Sequence, residues 1–267
     1  MVKIMKTSES LHPDLDKLQI EFNEFSQFYK HHSFHLDKLK NRISWYKCPD
    51  PYSGKHGNFY SICLTDNPSN YDDSHIVAHE LSHCILWEMG YPYLEPRNMV
   101  QDVYQTPSNS LKNLCSAITN MVYNPMIEHH LKKYYSDLYS KDKETYKNSI
   151  NQWNLKTIND DNLFEWSCLF VGAFLTLKWL SGDNNNFENW EYSKSENGKI
   201  VAPCANKIIK LLDDCGFNSS INIAKSQDII VTTFLKIAQT FDFTVQCNPR
   251  PQTIFLCENS FKESEHL

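Results

Sequence analysis

Residues 72–90 read Asp72-Asp73-Ser74-His75-Ile76-Val77-Ala78-His79-Glu80-Leu81-Ser82-His83-Cys84-Ile85-Leu86-Trp87-Glu88-Met89-Gly90, with Pro92 just beyond. Asp72, Asp73 and Ser74 offer an N-cap. Gly90 and Pro92 are stop signals. The stretch between them predicts one helix from about Ser74 to Met89. Residues i and i+4 sit one above the other on a helix, so His79 and His83 can point at one metal ion. Glu80 is rotated by about 100° from His79. It can approach a metal-bound water instead of occupying the metal. Imidazole suits zinc, zinc lowers the pKa of the water, and a carboxylate near neutral pH is a competent base. The expected cofactor is Zn2+ and the expected base is Glu80.

A chance His-Glu-x-x-His arises about 0.03 times in a chain of this composition, so context has to support the match. Ile76, Val77 and Ala78 precede the motif, and Cys84, Ile85 and Leu86 follow it. Apart from Glu80, no charge or proline interrupts the helix around the pair. Upstream, Arg42 to Tyr46 and Asn58 to Leu64 are β-rich runs separated by Pro49, Asp50, Pro51, Ser53 and Gly54, which are turn formers. A hairpin or two antiparallel strands are expected there. An edge strand at Asn58 to Leu64 would bind extended substrate by main-chain pairing, while an ordinary packed strand fits the same residues.

The 267 residues carry 26 Lys and Arg against 32 Asp and Glu, a net charge of −6. That length buries a core without disulfide staples. The mild acidity argues against a general electrostatic grip on nucleic acid. Seven glycines exclude a Gly-rich phosphate-binding scaffold as the organising theme. Met1 to Ser10 has no apolar run behind its lysines, so no secretory signal is expected. Leu163 to Leu180 is the most apolar stretch, but Glu165, Ser167 and Lys178 mark it as a buried helix and not a membrane span. The nine cysteines form no C-x-x-C pair. Reduced thiols in a cytoplasmic protein without membrane attachment are expected.

Further helices are expected at 11–40, at Leu111 to about Leu138, and at Leu163 to Leu180, Ala205 to Cys215 and Gln227 to Thr240. Pro125 should kink the second of these or restart it with Asn124 as cap. Residues 93–108 read as a loop. Ser181 to Lys199 reads as a long polar loop or lid. Phe243 to Cys247 and Thr253 to Cys257 read as short strands or a docked tail. The last ten residues read as loose. The expected class is α+β, predominantly helical, with a small antiparallel sheet beside the motif helix. Residues 1–140 form the metal-binding core, and 141–267 form a helical part packed on it or separate from it.

Ile76 to Ile85 resembles the active-site helix of the zincin metallopeptidases, and the likeness extends more weakly to about Leu131. It implies a zincin-like core, zinc on His79 and His83, and Glu80 as general base. Leu86 and Met89 stand where one branch carries its glycine and third histidine, which excludes that branch. Asn120 to Leu131 resembles the ligand helix of the glutamate branch. Asn120, Asn124 and Glu128 recur every four residues on one face. The resemblance implies Glu128 as third ligand and Asn124 or Asn120 as the group that orients a ligand histidine. His129, His130 and Glu95 remain alternatives for that ligand. Tyr123, Tyr134, Tyr135, His129 and His130 are candidate oxyanion donors. His75, His31, His35 and Cys84 read as surface, capping or core residues. The implied activity is peptide hydrolysis, with a peptide or protein as the partner. The rivals are a zincin-like metal-binding regulatory module without activity, and a helical interaction protein with an accidental motif.

Overall fold

The computed structural model describes residues 13–65, 67–100, 103–105, 108–139, 150, 152–153, 157–181, 187–215, 223–241, 243–247 and 253–257. The protein is α+β and predominantly helical. Met1 to Ser10, residues 182–186 of the expected lid and the last ten residues lie outside the described set.

The chain forms two compact units, Met1–Met89 with His130–Ser140, and Gly90–His129 with Lys141–Leu267. They interleave along the chain, whereas the sequence suggested a division at residue 140. The helix carrying Glu128 belongs mostly to the second unit, because its apolar face packs with later helices.

The first unit opens with α1 (Leu15–Glu21) and α2 (Asn23–Leu39), where one helix was expected. Asp14 caps α1 by accepting from the Lys17 amide at 2.9 Å. Phe22 is extended and breaks the run, placing its ring 6.4 Å from Tyr71. Strands β1 (Ile43–Lys47), β2 (Tyr52–His56) and β3 (Phe59–Leu64) form a sheet in the order β1-β3-β2. β1 runs parallel to β3 and β2 antiparallel to it. The expected antiparallel pairing of 42–46 with 58–64 is therefore wrong. An intervening strand, hidden by Ser53 and Gly54, makes the hairpin through Gly57 and Asn58 and forces β1 into parallel register. β3 is central, which also removes it as an edge for substrate. Cys48 follows β1 beside Cys63 of β3, and the two are joined as a disulfide with Cα atoms 5.7 Å apart. The expectation of reduced thiols holds for Cys84, Cys115, Cys168, Cys204, Cys215 and Cys257.

α3 (Tyr71–Glu88) is capped by Asn70, whose Oδ1 accepts from the Asp73 amide at 2.8 Å. The cap thus lies upstream of the expected Asp72 to Ser74, because Asn70 reaches the first turn. Asp72 and Asp73 then sit where the helix dipole favours acids. α3 stops where expected: Gly90 has φ +91°, a conformation that costs a residue with Cβ. At the last turn of the helix, Glu88 accepts from Arg42 Nη1 at 2.8 Å and from the Tyr60 hydroxyl at 3.2 Å. Burial and that carboxylate push the Tyr60 hydroxyl up to about 12.

In the second unit, β4 (Tyr93–Val100), β5 (Val103–Gln105), β6 (Thr244–Cys247) and β7 (Thr253–Cys257) form a sheet in the order β5-β4-β7-β6. The loop expected over 93–108 is thus largely strand. Pro96 is tolerated because β5 pairs only with Asn98, Met99 and Val100, leaving β4 with one neighbour at the proline. The expected C-terminal strands are present. α4 (Asn109–Leu131) runs through Pro125 without restarting. Met121, Val122, Tyr123 and Ile127 are buried around the proline and offset its missing hydrogen bond. α5 (Leu163–Ser181), α6 (Glu196–Asp214) and α7 (Ile223–Thr240) complete the unit. The start of α6 and two short 3₁₀ turns occupy the described part of the expected lid. Among the described residues, no helix is long and apolar enough to cross a membrane.

Gly172 of α5 lies against α4, where an added Cβ would stand 3.1 Å from the Met121 Cα. The obstacle is backbone inside a packed helix, which cannot swing aside. Gly172→Ala should therefore lower stability by about 1–3 kcal/mol, where helix propensity alone predicts a gain of about 1 kcal/mol. Urea denaturation decides the sign.

Candidate metal centre

α3 is buried on most of its circumference, including Ser74, Val77, Ala78 and every residue from Glu80 to Ile85. It packs against α2 and β2. Two of these buried residues are ionisable groups of the motif: Glu80 is 6% exposed and His83 is 4% exposed. His79 is part-exposed at the rim. The His79 and His83 rings lie 5.1 Å apart between centroids, as consecutive turns require. His83 continues onto Trp87 at 5.7 Å. Cys84 is fully buried, and burial plus the nearby Glu80 carboxylate push its thiol well up, so it is an inert core residue as expected.

Glu128 is 4% exposed on α4 of the second unit. The unbroken helix places Asn120, Asn124 and Glu128 on one face, as the four-residue spacing predicted. Asn124 Oδ1 is buried with no hydrogen-bond partner among the described residues. Among the described residues, no three His, Cys, Asp or Glu side chains converge as a metal cluster. Taken singly, the residues suit zinc chemically: His79 and His83 offer imidazoles from one face of α3, and Glu128 of the second unit offers a carboxylate.

The alternative ligands have other surroundings. Glu95 lies exposed on β4, opposite Phe255 of β7. His129 is exposed with its ring 6.2 Å from Trp179. His130 belongs to the first unit, where its Nε2 meets His32 Nε2 at 2.8 Å. Glu88, five residues past His83 on α3, is engaged by Arg42 and Tyr60. Among the candidate oxyanion donors, Tyr123 is wholly buried and donates to the Pro92 carbonyl. Tyr135 is wholly buried, with its hydroxyl 3.3 Å from Ser74 Oγ. Both are packing residues.

Two contacts escaped the sequence. His75, one turn before His79, has its Nε2 2.7 Å from the Tyr139 hydroxyl. His75 lies on the stripe of the two motif histidines, but nothing in the sequence pointed to Tyr139. His32, beside the surface candidate His31, meets His130 across 98 residues of chain. The adjacent pair His31-His32 was its only trace.

The chain matches no known protein-family model, no curated protein and no solved structure.

Burial pulls His32 down from 6.5 to about 3, helped by His130, His31, His35 and Lys133. Below pH 6.5 the unfolded chain takes up a proton at His32 that the folded state refuses until about pH 3. Stability is therefore lost as pH falls through that window. The urea midpoint should drop on acidification, and His32→Gln should flatten the drop. An unchanged slope in the variant would contradict this account.

Proposed function

We propose that this protein is a zinc-dependent hydrolase of the zincin type, a metallopeptidase. The observation that carries the reading is α3 itself, which stacks His79 and His83 with ring centroids 5.1 Å apart while burying Glu80 beside them. His79, His83 and Glu128 would hold the metal. Bound zinc would supply a Lewis acid for the peptide carbonyl and for the attacking water. Glu80 takes the water proton on a carboxylate oxygen and returns it to the leaving nitrogen. Its seclusion from solvent keeps the proton from leaking to bulk water.

β2 adds support. It is antiparallel, packs beside α3, and pairs on one side only within its sheet. Such an edge can take an extended peptide by main-chain hydrogen bonds. It replaces β3 in the role first read for Asn58 to Leu64. A metal-binding module without hydrolysis is the second reading, since the stacked pair His79 and His83 can hold a metal without catalysis. It predicts stoichiometric zinc with no cleavage across a peptide library.

Elemental analysis and peptide cleavage on the same samples test the proposal. Wild type should carry about one zinc per chain. Glu80→Gln should keep it and lose about 10²–10⁴-fold in cleavage rate. Full cleavage by that variant would remove Glu80 as the base. In a folded Glu128→Ala protein, zinc content should fall sharply; unchanged zinc would move the third ligand elsewhere. No zinc in wild type after reconstitution would overturn the proposal.

A further inference from the structure

A cavity of about 250 Å³ opens in the second unit beside the contact of Gly172 with Met121. Asn120 and Asn124 of α4 line it, with Trp153 and with Leu169, Ala173 and Thr176 of α5. Among the described residues, no acid, no cation and no histidine lines it. The Thr176 hydroxyl is occupied by the Gly172 carbonyl at 2.9 Å. The Asn120 amide nitrogen has only a long contact, 3.4 Å, to Ser116 Oγ. The wall is thus apolar and aromatic with two carboxamides on successive turns of one helix face. That face continues to Glu128 one turn later.

We infer that this cavity receives an uncharged, amide-bearing side chain of the substrate, glutamine above all. The inference rests on the zinc-peptidase reading. The volume is below the roughly 300–1,000 Å³ of a drug-sized site, so it suits one side chain and not a whole cofactor. A charged side chain would lose its hydration here with no opposite charge to meet it. A carboxamide offers both donor and acceptor to the two asparagines, and its methylenes pack on Trp153 and Leu169.

The test is a titration of the full-length protein with N-acetyl-L-glutaminamide, followed by intrinsic fluorescence, with Trp153→Phe to assign the signal. The near-isosteric α-amide of N-acetyl-L-glutamic acid is the control. Wild type should bind the glutamine probe saturably, and the glutamate probe about tenfold or more weakly. Ala173→Phe, which fills the cavity, should abolish binding. If that variant does not fold, the part-exposed Asn120→Ala serves, with binding about three- to tenfold weaker. Equal binding of the two probes, no binding, or undiminished binding in a folded variant would overturn the inference. No bond is broken in this titration, so loss of the pocket and loss of the peptidase reading are separate results. In the cleavage arm, glutamine-containing peptides should outperform their glutamate counterparts, and the reverse order would also overturn it.

Discussion

A carboxylate and an imidazole carried into a protein interior cost free energy unless something compensates them, and α3 carries both. Glu80 and His83 sit among Val77, Ala78, Leu81 and Ile85 on a helix that packs against α2 and β2. The surrounding structure keeps this helix in place. Asn70 caps its start, Gly90 ends it, and Arg42 and Tyr60 hold Glu88 at its last turn. These contacts fix the rotation of the helix about its axis. That rotation sets which way His79 and His83 face.

α4 answers a similar constraint in the second unit. It has Pro125 in its interior, which removes a backbone donor. Burial on both sides of the proline keeps the helix whole. Close approach of α5 at Gly172 packs against it, so Asn120, Asn124 and Glu128 stay on one continuous face. A kink at Pro125 would have moved Glu128 out of line with the two asparagines. The same close approach leaves the neighbouring cavity uncharged and of side-chain size.

Helices were legible wherever a long periodic run ended in a recognisable signal. Leu163 to Leu180 and Ser74 to Met89 followed from pattern, with boundaries within a few residues, while the helix expected from Leu111 to about Leu138 ends at Leu131. Strands were harder. β2 contains Ser53 and Gly54, and β4 contains Pro96, so local propensity pointed to turns. Their strand character comes from pairing with β3 and β7, and pairing over such distances leaves no periodic mark. The parallel register of β1 with β3, and with it the Cys48–Cys63 disulfide, depended on the unseen strand.

The sequence by itself determined the chemistry available at the site. The spacing of His79, Glu80 and His83, and the four-residue repeat of Asn120, Asn124 and Glu128, follow from helix geometry, which is local. Only the tertiary structure decided which of the similar residues were engaged elsewhere. His130 meets His32, Glu88 meets Arg42, Tyr123 meets Pro92 and Tyr135 meets Ser74. The His32–His130, Arg42–Glu88, Tyr123–Pro92 and Ser74–Tyr135 partners lie tens of residues apart in the chain, and burial determines the outcome. Burial is a property of packing between elements, and no single stretch of sequence contains it.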